Sequence, residues 1–314
     1  MKNLARLSFV LVTVLWGSFY AVAKEALQRL DPIIFTFFEV ASLVPIALTI
    51  IVIHRKELNA VTLKRGIFLG SWQCLALLTV TTAEQFTTAT STAFFPGIGG
   101  VIGALATGLV LKHPVKKATW MACVTSLGGT CIILAVGGSS LVIRGNIIAF
   151  LGAIFFTTYF FFVDHDHQKH DGSGMWSVIG IEHITIVLWL ALITLLFGNW
   201  QHIHPELPKD VAVIIYVGGI CTFLPIVLIN FMQRYIPPLE VAFISILEPI
   251  WGIIIAHLYL EEVVPHSLYL GGALILAAAL LHIWSTAGKK IGIKKALRRG
   301  SLGKPYRLES SKVS

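Results

Sequence analysis

The sequence predicts an all-α integral membrane protein with ten transmembrane helices in two inverted five-helix repeats. Hydrophobic residues make up 56% of the 314 residues and charged residues only 13%, whereas soluble domains carry about 25% charged residues. Mean hydropathy is +0.81, so these residues could not form the surface of a water-soluble globule. A disordered chain, a disulfide scaffold and a nucleic-acid-binding protein are therefore excluded.

Ten apolar stretches follow one another along the chain. Lipid offers the backbone no hydrogen-bond partner, so a bilayer is crossed by helices of about 20 predominantly apolar residues. The predicted spans one to ten are residues 4–23, 32–53, 66–82, 89–111, 118–136, 145–163, 175–197, 211–232, 241–260 and 267–286. The end of span one, Ala21-Val22-Ala23, is similar to a signal-peptide cleavage site, and cleavage there is the alternative to an uncleaved first span.

The basic residues indicate the orientation of these spans. With the amino terminus inside, the predicted inner segments hold 20 of the 24 Lys and Arg, and the outer segments hold 4. The sequence therefore predicts a plasma (inner) membrane protein with both termini cytoplasmic. The net charge of +8 is therefore attributed to the basic residues that orient the spans in the membrane. Nine of these basic residues lie in the tail at 288–314. Contact of this tail with anionic lipid headgroups is an alternative interpretation.

The two halves of the chain resemble each other after a shift of 149 residues. Ala93 then falls on Ala242 and Gly103 on Gly252, which pairs span four with span nine. Repeats with an odd number of spans are inverted in the membrane. The predicted units are a first repeat at 1–139, a second repeat at 140–287 and a basic tail at 288–314.

Two glutamates lie inside apolar spans at equivalent places of the two halves. Glu39 and Glu182 each follow the predicted start of the second span of their half by seven residues, or about 10 Å along a helix. Inverted repeats place one toward each side of the membrane. Intramembrane carboxylates are costly and usually face a cavity or a proton path; a protonated packing residue is the alternative.

Three motifs give the chain a family resemblance. They are Trp16-Gly17-Ser18-Phe19, Tyr235-Ile236-Pro237-Pro238-Leu239-Glu240-Val241-Ala242 and Leu247-Glu248-Pro249-Ile250. With them the chain resembles the ten-span EamA branch of the drug/metabolite transporter superfamily. The resemblance implies two inverted five-span halves around a central cavity, and secondary transport that is often export of amino acids or other small metabolites. Glu39 stands where the family commonly carries an Arg, which inverts the local charge preference.

Two spans contain residues that interrupt a helix. In span four these are Pro96, Gly97, Gly99 and Gly100, and in span nine Pro249 follows Glu248. The residue before a proline is pushed away from helical angles, so both spans are predicted to bend near their middle and to serve in gating. Close helix packing through the glycines is the alternative for span four.

Several aromatic and polar side chains of the spans are candidates for the wall of a cavity and a proton pathway. Any one of them is also suited to packing or to anchoring at the membrane interface. The full predicted set is Glu39, Glu182, Glu248, Trp16, Tyr20, Trp72, Gln73, Tyr159, Asn230 and Trp251.

One segment, residues 164–171, has a composition suited to metal binding. It carries His165, His167 and His170 among aspartates, and it is predicted to be a solvated loop. The spans supply no second set of ligands at helical spacing, so no resident metal is predicted. A metal-binding carrier or sensor acting through this loop is the alternative function.

The sequence as a whole favours a secondary active transporter that works by alternating access. It contains no Walker sequence and no nucleophile motif, so neither ATP-driven transport nor an enzyme is predicted, and no cofactor is expected. The expected partners are the lipid bilayer and a small-molecule substrate, with protons as the candidate coupling ion and no nucleic acid.

Overall fold

A computed structural model describes residues 1–110, 112, 114–135, 139–261, 266, 268–278 and 280–281. Every regular element in these ranges is a helix, and eight helices are long and apolar enough to cross a membrane. The spans, numbered as predicted, are Lys2–Ala26, Pro32–Ile53, Ala60–Phe86, Ala89–Leu109, Lys117–Ala135, Ser140–His170, Met175–Phe197, Lys209–Tyr235, Pro238–Leu260 and, for span ten, Leu268–Ala278. The predicted fold class is confirmed; the tail at 288–314 lies outside the described residues.

Local sequence explains where several spans begin. The Asp31 carboxylate accepts hydrogen bonds from the backbone N–H groups of Ile33 and Ile34, and Pro32 occupies the first helical position of span two. Asn59 and Thr62 form a reciprocal capping box at the start of span three. These side chains bind backbone groups that have no partner within the helix.

The prediction of a loop at 164–171 is wrong, because span six continues as a helix to His170. Asp164 accepts a hydrogen bond of 2.7 Å from Gln168 one turn later. Asp171 then ends the helix in the left-handed conformation with φ of 48°. The polar composition of this segment indicates exposure to water, and an exposed segment can still be helical. Pairs of polar side chains one turn apart favour the helix.

Two spans are interrupted at equivalent positions of the two halves. A 3₁₀ turn at Phe95–Ile98 divides span four, and a second at Ser245–Leu247 divides span nine. A shift of 149 residues carries the first turn onto the second. Wider π turns occur at Ala106–Val110 and Val217–Phe223. A 3₁₀ turn therefore lies beside the proline of each span, but Phe95 and Glu248, which precede the prolines, keep right-handed helical angles.

Close backbone contacts join the second span of each half to the third span of the other half. A Cβ atom on Gly70 in span three would lie 2.5 Å from the carbonyl oxygen of Glu182, and one on Gly218 in span eight would lie 2.3 Å from that of Glu39. Small residues let helices approach this closely inside a membrane. These two glycine contacts, at equivalent places of the two halves, hold Glu39 and Glu182 where the halves meet.

We expect Gly218→Ala to destabilise the protein and Gly219→Ala to leave it at least as stable as the wild type. The added methyl group at 218 would overlap the Glu39 carbonyl, whereas a Cβ at 219 has no described atom within 4 Å. Overpacking costs about 1–3 kcal/mol, and Ala is favoured over Gly in a helix by up to about 1 kcal/mol. Thermal unfolding of the detergent-solubilised variants measures the difference, and equal midpoints would contradict the contact.

Candidate functional site

A cavity lies between the two halves of the protein. Its wall is mainly apolar and aromatic, and six spans contribute to it. The lining residues are Trp16, Phe19, Tyr20, Leu77, Val80, Pro96, Gly99, Ala153, Phe156, Thr157, Phe160, Cys221, Thr222, Ala242, Ser245 and Glu248. The indole of Trp16 packs against the rings of Phe156 and Phe160, with centroids 5.2 and 6.1 Å apart. This apolar and aromatic lining suits the body of a small organic molecule.

Glu248 places a carboxylate in the cavity wall. Its side chain is 2% exposed and lies at the start of helix Glu248–Leu260, directly after the 3₁₀ turn of span nine. The Tyr20 hydroxyl donates a hydrogen bond to Oε1 of Glu248. Oε2 is buried and has no hydrogen-bond partner among the described residues, so one oxygen of this carboxylate is unsatisfied.

Glu39 lies one hydrogen bond away from the cavity. It is fully buried, and its Oε1 accepts a hydrogen bond from the Thr222 hydroxyl of span eight, which lines the cavity. Its Oε2 also has no partner within the described part of the chain. Thr222 therefore connects the cavity wall with this carboxylate.

Glu182 belongs to a separate buried cluster with Tyr159 and Asn230. The Tyr159 hydroxyl donates to Oε1 over 2.7 Å, and Nδ2 of Asn230 lies 3.1 Å from Oε2 and 3.0 Å from the Tyr159 oxygen. All three side chains are fully buried. The aromatic ring of Phe160, next to Tyr159 in the chain, lines the cavity, whereas the cluster itself does not.

The structure brings part of the predicted set together at the cavity. Trp16, Tyr20 and Glu248 line it, and so do Pro96 and Gly99 of the predicted helix breaks. The predicted wall residues that do not line it are Glu39, Glu182, Trp72, Gln73, Tyr159, Asn230 and Trp251.

The remaining predicted residues pack between helices. The Trp72 indole donates 2.9 Å to the backbone oxygen of Phe155, and Trp251 packs closely against Gly17. Gly100 faces the ring of Phe243, and Pro249 is buried in the first turn of its helix.

No pattern in the sequence identifies the hydroxyl groups of the wall, Thr157, Thr222 and Ser245. Thr and Ser occur throughout these apolar spans, most often with the hydroxyl bonded to a carbonyl one turn earlier, as in Ser245 with Val241. Thr222 and Glu39 are 183 positions apart in the chain. No local pattern in the sequence therefore shows that they are in contact.

The histidines of the predicted metal segment diverge on the surface of span six. His165 is exposed, whereas His167 is buried with its Nε2 2.8 Å from the backbone oxygen of Asn230. Asp166 between them pairs with Arg65. Throughout the described part of the chain no group of three or more His, Cys, Asp and Glu could hold a metal ion.

One ion pair lies at each end of the helix bundle, and the side chain of Arg65 is more deeply buried than that of Arg29. Arg65 near the start of span three donates two hydrogen bonds of 2.7 Å to Asp166 of span six. At the other end, Arg29 after span one contacts Asp210 at the start of span eight over 2.5 Å. This hydrogen bond raises the pKa of the Arg29 guanidinium. Span three and span eight are equivalent in the two halves, so the two pairs correspond to each other with the charges exchanged.

Apolar helices that surround a cavity between two related halves define a multi-pass membrane protein of the transporter class. The model of the EamA-like transporter family matches residues 3–135 and 143–284. The chain belongs to this family, and the predicted resemblance to the drug/metabolite transporter superfamily is confirmed. The expectation that it is a transporter, as its family indicates, is confirmed with it.

Similar proteins agree with this assignment. A curated relative from Archaeoglobus fulgidus, described as an uncharacterized transporter, is 22% identical over 282 residues, which are 88% of this chain and 85% of the relative. A solved structure, described only as the crystal structure of a protein, aligns with a TM-score of 0.66 and 13% identity over 90% of this chain and 97% of the other. At this identity the likeness shows the fold alone.

We expect Arg65→Met to lower stability by about 3–5 kcal/mol, because it leaves the buried Asp166 carboxylate without its partner. The double variant Arg65→Met/Asp166→Leu should recover most of the loss. Lys209→Gln, which breaks a more exposed pair with Glu25, is the matched control and should unfold close to the wild type. Unfolding midpoints in detergent test this, and equal losses for Arg65→Met and Lys209→Gln would contradict it.

Proposed function

We propose that this protein is a proton-coupled secondary transporter that exports amino acids or other small metabolites by alternating access. The observation that carries the proposal is the cavity between the halves, with Glu248 in its wall and Glu39 one hydrogen bond away through Thr222. A substrate in this cavity contacts residues of both repeats. A movement of one half against the other then changes its access to each side of the membrane.

The membrane orientation is proposed from the charges. The bias of Lys and Arg supports a plasma membrane protein with both termini in the cytoplasm. The absence of a Walker sequence favours a gradient as the energy source. The export direction is proposed from the resemblance of the chain to the exporters of its superfamily.

The two buried glutamates are proposed as the proton-binding groups. Each is held by hydroxyl or amide groups of neighbouring spans, Glu39 by Thr222 and Glu182 by Tyr159 and Asn230. A proton on either carboxyl group removes the cost of a charge held away from water. When one end of the protein opens, water reaches the carboxyl group on that side and the proton leaves to it.

The ion pairs and helix breaks support the proposed movement. Arg65–Asp166 joins spans three and six at one end, and Arg29–Asp210 joins spans one and eight at the other. Opening of one end separates one pair while the other stays closed. The 3₁₀ turns of spans four and nine are proposed as the places where these helices bend, because the hydrogen bonds of a 3₁₀ turn have poorer geometry than those of an α-helix.

We expect Glu39→Gln/Glu182→Gln to transport without dependence on a pH gradient. Gln keeps the shape and hydrogen bonds of a neutral carboxyl group but binds no proton. Proteoliposomes loaded with a metabolite mixture, with empty vesicles as reference, are assayed with and without a proton gradient for metabolite release. The double variant should lose the gradient-driven part while keeping exchange at equal pH.

The control for this experiment is Glu240→Gln, which changes a carboxylate that pairs with Arg6 near the end of the bundle. Glu240 is apart from the cavity, so the gradient dependence should persist in this variant. Full pH-dependent transport by Glu39→Gln/Glu182→Gln would reject the coupling role of both glutamates.

A further inference from the structure

The charge of the cavity wall favours a cationic ligand. Glu248 is the one acidic residue among the described residues that line the cavity, and none of them is Lys, Arg or His. Lys24 lies one turn beyond Tyr20 in span one, but its ammonium group donates to the backbone oxygens of Glu84 and Thr87. A positively charged ligand would therefore enter a wall that offers it a carboxylate and no opposing basic side chain.

The free oxygen of Glu248 provides a specific place for a donor. Oε1 already accepts the Tyr20 hydroxyl hydrogen, while Oε2 is buried without a partner among the described residues. When a bound cation compensates its charge, the ionised Glu248 carboxylate only accepts hydrogen bonds, and a buried acceptor left without a donor is destabilising. An ammonium group of the ligand supplies both the missing donor and the compensating charge.

The rest of the wall suits the apolar body of such a ligand. Trp16, Phe19, Phe156 and Phe160 present aromatic rings to the cavity, and the face of an aromatic ring attracts a nearby cation. Burial of an apolar ligand surface against these rings adds to the binding free energy.

An anionic group finds little in this wall to bind it. The Thr222 hydroxyl hydrogen is donated to Glu39 and that of Ser245 to the backbone oxygen of Val241. The positive end of helix Glu248–Leu260 is already balanced by the carboxylate of its own first residue. A zwitterionic amino acid would therefore bind less tightly than the amine that lacks its carboxylate.

We propose that the cavity binds an organic monocation, an amine with an aromatic or apolar body, whose ammonium group donates to Oε2 of Glu248. This inference rests on the proposed function in taking the cavity as the substrate site. It narrows the substrate from small metabolites in general to amines.

Four indole compounds that differ in charge test the proposal. The probes are tryptamine as the cation, tryptophol as the neutral analogue, indole-3-acetate as the anion and L-tryptophan as the zwitterion. Their dissociation constants are measured by calorimetry on the full chain in nanodiscs at neutral pH, with empty nanodiscs subtracting partition into lipid. Tryptamine should bind at least about tenfold more tightly than each of the others, as expected for a hydrogen bond to a charged group.

The matched variants are Glu248→Gln and Glu240→Gln, which remove one carboxylate each from the same span. Glu248→Gln should reduce tryptamine binding to the level of tryptophol and leave tryptophol within about twofold of its wild-type value, because only the charge-assisted bond is lost. Glu240→Gln should leave all four constants unchanged. If Glu248→Gln does not fold, the order of the four probes on the wild-type protein decides.

Three outcomes would overturn the inference. They are binding of indole-3-acetate or L-tryptophan as tight as that of tryptamine, a preference for tryptamine that survives in Glu248→Gln, and no measurable binding of tryptamine. The proposed transport function is judged separately by metabolite release from proteoliposomes. Charge-selective binding without transport would reject the transport proposal alone, and transport without charge selectivity would reject the amine proposal alone.

Discussion

The cost of a charge away from water governs where the polar residues of this protein lie. Arg65 and Asp166 neutralise each other at one end of the bundle, and Arg29 and Asp210 do so at the other. Between these ends, the carboxyl groups that line or adjoin the cavity are bonded to hydroxyl or amide groups of other spans. Every such bond crosses from one helix to another, so the same interactions that offset the cost of burial also fix the arrangement of the spans.

The environments of Glu39 and Glu182 differ despite their equivalent places in the repeats. Glu39 bonds to Thr222, which lines the cavity. Glu182 bonds to Tyr159 and Asn230, which do not line it. The duplicated fold supplies two similar positions, and the side chains around them place each carboxylate differently with respect to the cavity.

Much of the fold could be predicted from the sequence because hydropathy and helix-breaking residues act locally. The spans follow from the length of apolar stretches, and the 3₁₀ turns at Phe95–Ile98 and Ser245–Leu247 lie beside the prolines that predicted a bend. Of the site, Trp16, Tyr20 and Glu248 were identifiable as polar or aromatic residues in apolar surroundings. Thr222 was not identifiable, because its contact with Glu39 depends on how span eight packs against span two. The helical end of span six could not be predicted for a related reason, since one of its carboxylates, Asp166, pairs with Arg65, which is distant in the chain.

The exchanged charges of the two ion pairs bear on how such a chain can have arisen from a shorter ancestor. In an association of two identical copies of the first half, Arg65 of span three would face a second arginine at the place of Arg29. Two copies of the second half would bring Asp210 against a second aspartate at the place of Asp166. Either arrangement would bury like charges together. The present pairs need opposite charges at these places, so each half suits the other half better than it suits a second copy of itself.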